Sequence, residues 1–82
     1  MNNDEILMII REEGLNYYNW YNSKKVKCNQ VCIDLKDDHW IVFTTDERQH
    51  RISENAFDNE NDALQEFIKR LRASNRRRKK RN

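Results

Sequence analysis

The 82-residue chain has no proline and a single glycine, Gly14. That scarcity excludes glycine-rich phosphate loops and long flexible linkers, and no internal repeat is present. No apolar run approaches the roughly 20 residues that a membrane span needs. The first residues, Met-Asn-Asn-Asp-Glu, lack the positive n-region of a secretory signal, so the expected location is the cytoplasm. Cysteine is nearly absent too. Cys28 and Cys32, placed on one regular strand, would stand about 13 Å apart, beyond disulfide reach. With His39 and His50 they make no usual zinc spacing, so neither a metal nor a cofactor is expected.

What is abundant is charge, and it is divided. Residues 75–82 carry six positive charges and no negative one, while the other 74 residues hold 10 basic against 14 acidic side chains, a net of −4. The formal +2 is therefore an acidic body followed by a basic tail. The body is drawn to basic partners and the tail to acidic ones. A chain this short forms one domain and buries only roughly 60% of its unfolded surface.

The periodicities predict an α+β fold: an N-terminal helix, a three- to four-stranded antiparallel meander and a C-terminal helix. The domain is expected over residues 1–73, with 74–82 a disordered basic tail. The first helix spans about residues 3–13, capped by Asn2 or Asn3, with Asp4 and Glu5 in its first turn and Gly14 as a left-handed stop. Tyr17, Tyr18, Trp20 and Tyr21 read as a short extended segment whose rings fill the core or, for one or two, stand as exposed anchors. The alternation of Val26 and Cys28 is out of phase with that of Val31, Ile33 and Leu35, so a loop or bulge is needed near Asn29 and Gln30.

Strands follow at Val31–Lys36, Trp40–Thr45 and Arg48–Ser53. A two-residue turn at Asp37 and Asp38 sets Leu35 opposite Trp40 and Ile33 opposite Val42; a three-residue turn including His39 changes that pairing. Ile41 and Phe43 then lie on the other face, which is either covered or open to a partner. Asp58 or Asn59 starts the last helix, and Ala63, Leu64, Phe67, Ile68 and Leu71 recur on one side of it.

No catalytic constellation is evident; His39 and His50 lack a paired titrating group. The acids in and between the strands suggest a docking rim for a basic protein: Asp34, Asp37, Asp38, Asp46 and Glu47 for charge, with Trp40 as an apolar anchor if it faces outward. The same acids also suit solvated turns. The basic residues Arg76, Arg77, Arg78, Lys79, Lys80 and Arg81 offer a different partner. They could neutralise phosphates, but without interleaved aromatics any nucleic-acid contact would be nonspecific.

The run Val31-Cys32-Ile33-Asp34-Leu35-Lys36-Asp37-Asp38-His39-Trp40-Ile41-Val42-Phe43, then Asp46-Glu47-Arg48, then Phe57-Asp58 leading into Ala63 and Phe67, resembles the small immunity proteins of bacterial polymorphic-toxin and contact-dependent growth inhibition systems. The resemblance covers about residues 4–72 and leaves out the tail. The pattern carries a glycine in the hairpin turn and another after the Glu-Arg pair, where this chain has His39 and Gln49. It implies a protein that is not an enzyme and that binds and neutralises a cognate toxin domain, often a nuclease. The order helix, three strands, helix is also that of double-stranded RNA-binding domains. There, however, a basic cluster starts the last helix, and here Asp58, Glu60 and Asp62 would repel phosphate.

Overall fold

The computed structural model describes residues 1–80, with side chains to Arg78. Helix α1 spans Asn3–Glu13. Asn2 caps it, its side-chain oxygen accepting from the Glu5 N–H at 2.9 Å. Gly14 ends it at φ 62°, and the Gly14 and Leu15 N–H groups close back onto Arg11 and Ile10. This is the Schellman arrangement, and Leu15 folds into the core behind it. The continuous apolar run of α1 is divided by the helix: Ile6 and Ile10 are buried, whereas Leu7 and Met8 are exposed.

Strand β1 spans Tyr18–Trp20, β2 Val31–Lys36, β3 His39–Thr45 and β4 Arg51–Phe57, and the sheet order is β1-β2-β3-β4. The fold is α+β as expected, with one departure: β1 pairs with β2 in parallel, while the other two pairings are antiparallel. Residues 21–30 make the difference. They contain a 3-10 turn at Ser23–Lys25 and carry the chain back along the sheet, instead of turning it as a hairpin. The broken alternation in the sequence marks this crossover.

The β2–β3 turn has two residues. Asp37 and Asp38 sit at φ 51° and 65°, the double left-handed geometry of a type I′ hairpin. Leu35 therefore opposes Trp40 and Ile33 opposes Val42. The next turn is longer than its sequence suggests. The Asp46 carboxylate accepts from the Arg48 and His50 N–H groups, both at 2.8 Å, and so holds residues 46–50 out of the ladder. Strand β4 consequently begins at Arg51, not Arg48. It continues through Glu54 and Asn55 because a bulge opposite Val42 and Thr44, with Ser53 at φ 57°, takes up the extra residue.

Helix α2 spans Glu60–Lys80. Asn59 is its cap, accepting from the Asp62 N–H at 2.9 Å. Its apolar side, Ala63, Leu64, Phe67, Ile68 and Leu71, meets Ile6, Ile10, Leu15, Val31, Ile33 and Val42 in the main core. The helix does not stop near residue 73. Asn75 and Arg78 continue the stripe of Leu71 at positions four and seven further on, and both find partners on the body, so residues 74–80 of the expected tail are helical. Arg81 and Asn82 lie outside the described residues.

The other sheet face is covered at its centre, while β4 stays exposed. Cys32, Ile41 and Phe43 form a second buried cluster beneath Val26 of the crossover, and the Arg51 guanidinium lies 4.4 Å from the Phe43 ring centroid. Burial pushes the Cys32 thiol up to about 12, more than the Arg51 charge lowers it, so the sulfur is an inert core atom at neutral pH.

Asp34 pins the crossover to the sheet. Its carboxylate accepts from the Ser23 hydroxyl and N–H and from the Leu35 N–H. Burial alone would raise its pKa. The Ser23 and Leu35 hydrogen bonds and the Arg51 charge outweigh that, and the pKa falls below the ordinary carboxylate value. A carboxyl with a depressed folded-state pKa contributes stability above its unfolded pKa and loses it as pH falls through the folded value. Asp34→Asn should therefore cost about 1 kcal/mol at pH 7 and little at pH 2, as read by urea unfolding at the two pH values.

Candidate functional site

The path of the chain sorts its charges by end. Strands β2 and β4 finish where the β2–β3 hairpin turns, and α2 starts there. Helix α1 lies parallel to α2 with a nearly constant offset. The Met1 amine reaches Asn61, Glu13 pairs with Arg72, and the Asn16 N–H donates to Asn75 at 2.9 Å. Both helices thus begin at the hairpin end and run away from it.

The hairpin end is acidic. Asp37 and Asp38 occupy the tip, and Asp58 stands beside it, its carboxylate 3.4 Å from His39 Nδ1. Glu60 and Asp62 fill the first turn of α2, and Asp4 and Glu5 the first turn of α1. Acids at helix N-termini complement the dipoles, so this grouping supports both helices. Seven carboxylates collect here, against the cationic side chain of Lys36 and the Met1 amine. Among the described residues, the Asp37 and Asp38 carboxylates make no hydrogen bond or ion pair.

The opposite end is mixed and then basic. Asp46 is held below the ordinary carboxylate range, chiefly by the His50 N–H, and its other oxygen lies 3.6 Å from His50 Nδ1. Asp46, Glu47, Arg48 and His50 face Arg77 and Arg78 across an open cleft of about 730 Å³. The C-terminal part of α2 is docked here. Arg72 makes a two-pronged contact with Glu13, whose carboxyl it holds low. The Asn75 side chain donates to the Asn16 and Leu71 carbonyls. Arg78 donates to the Asn29 carbonyl at 2.9 Å and stacks 3.5 Å from the centroid of the Tyr17 ring.

The six residues singled out for the rim are therefore not brought together. Asp37 and Asp38 share the hairpin tip. Asp34 and Asp46 direct their oxygens at backbone N–H groups of the chain itself. Asp46 and Glu47 stand at the far end of β3, roughly 25 Å from the tip at a strand rise of about 3.3 Å per residue. Trp40 does not face outward: it is half-buried and packs against the main core with Tyr18, Trp20, Tyr21 and Phe57. Of the four clustered aromatics only Tyr17 is exposed, beneath Arg78. Sequence reasoning placed Asp58, Glu60 and Asp62 at the start of the last helix, as acids that repel phosphate, and missed that the hairpin tip lies beside them. A signal existed, since a two-residue turn and a strand ending at Phe57 necessarily bring the tip and the start of α2 to one end.

The Glu-Arg pair has a structural counterpart. Gln49, where the resembling pattern has glycine, sits at φ 67°, a conformation that costs a side-chain-bearing residue about 1 kcal/mol or more.

No curated protein and no solved structure matches the chain. A family model does, over residues 3–82, a span that includes the basic segment that the resemblance had left out. With nearly its whole length matched, the chain belongs to the Immunity protein 59 family.

Proposed function

We propose that the protein binds and neutralises a cognate bacterial toxin domain by direct contact at its acidic end. It does so without chemistry of its own, in the cytoplasm of a cell carrying a polymorphic or contact-dependent toxin system. Family membership supports a toxin partner. The observation that carries the choice of surface is the pole of seven carboxylates around the β2–β3 tip, where Asp37 and Asp38 hold left-handed backbone conformations and, among the described residues, spend their charge on no partner. Adjacent like charges in a strained turn cost stability, and a binding role accounts for their presence.

A basic toxin site fits such a surface, and a nuclease has one because it must hold phosphates. Long-range attraction would speed encounter, and the two protruding aspartates would occupy the positions of phosphate charge. The docking residues in this reading are Asp37, Asp38, Asp58, Glu60 and Asp62. Asp34 and Asp46 serve the fold, and Glu47 lies outside the face.

The experiment is co-purification with the toxin domain encoded beside the gene, followed by stopped-flow association. Asp37→Lys, Asp38→Lys and Asp58→Lys together should slow association about tenfold or more at low salt, with the difference shrinking as salt rises. Unchanged association by a folded triple variant would rule out the electrostatic docking. A milder change separates binding from stability. Asp38→Gly creates the preferred Asp-Gly turn and should raise stability by about 0.5 kcal/mol while slowing toxin association, since it removes one charge.

A further inference from the structure

The C-terminal third of α2 is not explained by docking at the acidic end. Arg76 and Arg77 are exposed and, among the described residues, have no hydrogen-bond or ion-pair partner. Lys79 and Lys80 follow on the same helix. Successive helical residues point about 100° apart, so Arg76, Arg77 and Arg78 spread positive charge around much of the helix end. The segment is also held. Arg72 on Glu13, Asn75 on Asn16 and Arg78 on Asn29 and Tyr17 fix its direction from the body. These anchors leave Arg76 and Arg77 free.

We infer that this ordered basic helix end is a second binding surface, for the phosphate backbone of nucleic acid, read without sequence preference. The acids at the start of α2 had argued against such a role, and the structure removes the objection. Asp62 and Arg76 are fourteen residues apart on one helix, roughly 20 Å at 1.5 Å per residue. That is more than two Debye lengths at physiological salt, where the length is about 8 Å. The acidic pole is therefore largely screened from a duplex lying at the basic end; Asp46 and Glu47 line the cleft beside Arg77 together with Arg48 and Arg78, so a duplex must approach from the side of the helix away from that cleft. Phosphate suits the surface better than an acidic protein does. The tightest protein contacts centre on apolar or aromatic anchors, and at this end the half-exposed Tyr17 ring is already stacked against Arg78. A backbone of phosphates needs only dense positive charge. The two poles can then be used at once, with toxin at one end and nucleic acid at the other.

The test is fluorescence anisotropy of the full chain with a labelled 20-base-pair DNA duplex of arbitrary sequence, at several salt concentrations. If about four phosphates are neutralised, affinity should fall roughly 10²-fold between 50 and 200 mM salt. Arg76→Ala with Arg77→Ala should lower the salt slope by about 2 and weaken binding to every duplex alike. Arg76→Lys with Arg77→Lys should retain binding. Circular dichroism checks that α2 is intact, and neither change touches an anchoring contact. Toxin binding by the alanine variant should be unchanged, which keeps this surface separable from the acidic one. Absence of binding at 50 mM salt, or wild-type binding by the alanine variant, would overturn the inference. So would a loss of toxin affinity in the alanine variant without any DNA binding, since that would make the basic end a protein contact.

Discussion

The direction of α2 is the constraint on which the rest depends. Strand β4 ends beside the β2–β3 hairpin, so the helix that follows must start at that end and run back across the sheet. Its sequence begins with Glu60 and Asp62 and ends with a basic run. Packing of Leu64, Phe67 and Leu71 into the core fixes the helix in place. A charge pattern written along the chain is thereby laid out in space over roughly 30 Å. Helix α1, parallel to α2 and acidic at its own start, reinforces the same polarity. The helix dipoles favour this arrangement, so part of what looks like a binding surface also stabilises the fold.

The cover over the middle of both sheet faces bears on recognition. The helices cover one face; the crossover, with Val26, and Arg51 cover the other. The apolar clusters on both sheet faces are buried, Leu35 and Ile52 stay exposed beside them, and Trp40 is committed to the core. Apart from single exposed apolar residues such as Leu7 and Met8, charge at the ends is what the surface offers. Such surfaces govern the rate and orientation of encounter more than they govern raw affinity.

Much of the fold was legible because it rests on local chemistry. An asparagine cap and Gly14 bounded α1, the apolar spacing of Ala63 to Leu71 gave the buried side of α2, and the alternation of β2 and β3 gave the hairpin, whose register waited on the turn being two residues long. What escaped depends on contacts distant in sequence. The parallel pairing of β1 is decided by where the crossover lands, and Asp34 gripping Ser23 is not visible in either segment alone. The start of β4 turned on whether Asp46 spends its carboxylate on the backbone. The continuation of α2 depended on Asn75 and Arg78, polar residues that extend the stripe of Leu71 and were read as tail. For the site, Asp37 and Asp38 could be picked out from the turn, but the grouping with Asp58, Glu60 and Asp62 required the topology.

The central claim is that one end of the molecule meets the toxin. Amide chemical-shift mapping of the isotope-labelled protein, on addition of its toxin domain, tests it most directly. The account predicts that perturbed amides gather at residues 36–39 and 58–62 and in the first turn of α1. A cluster at residues 46–50 and 72–78, with the hairpin tip silent, would contradict it.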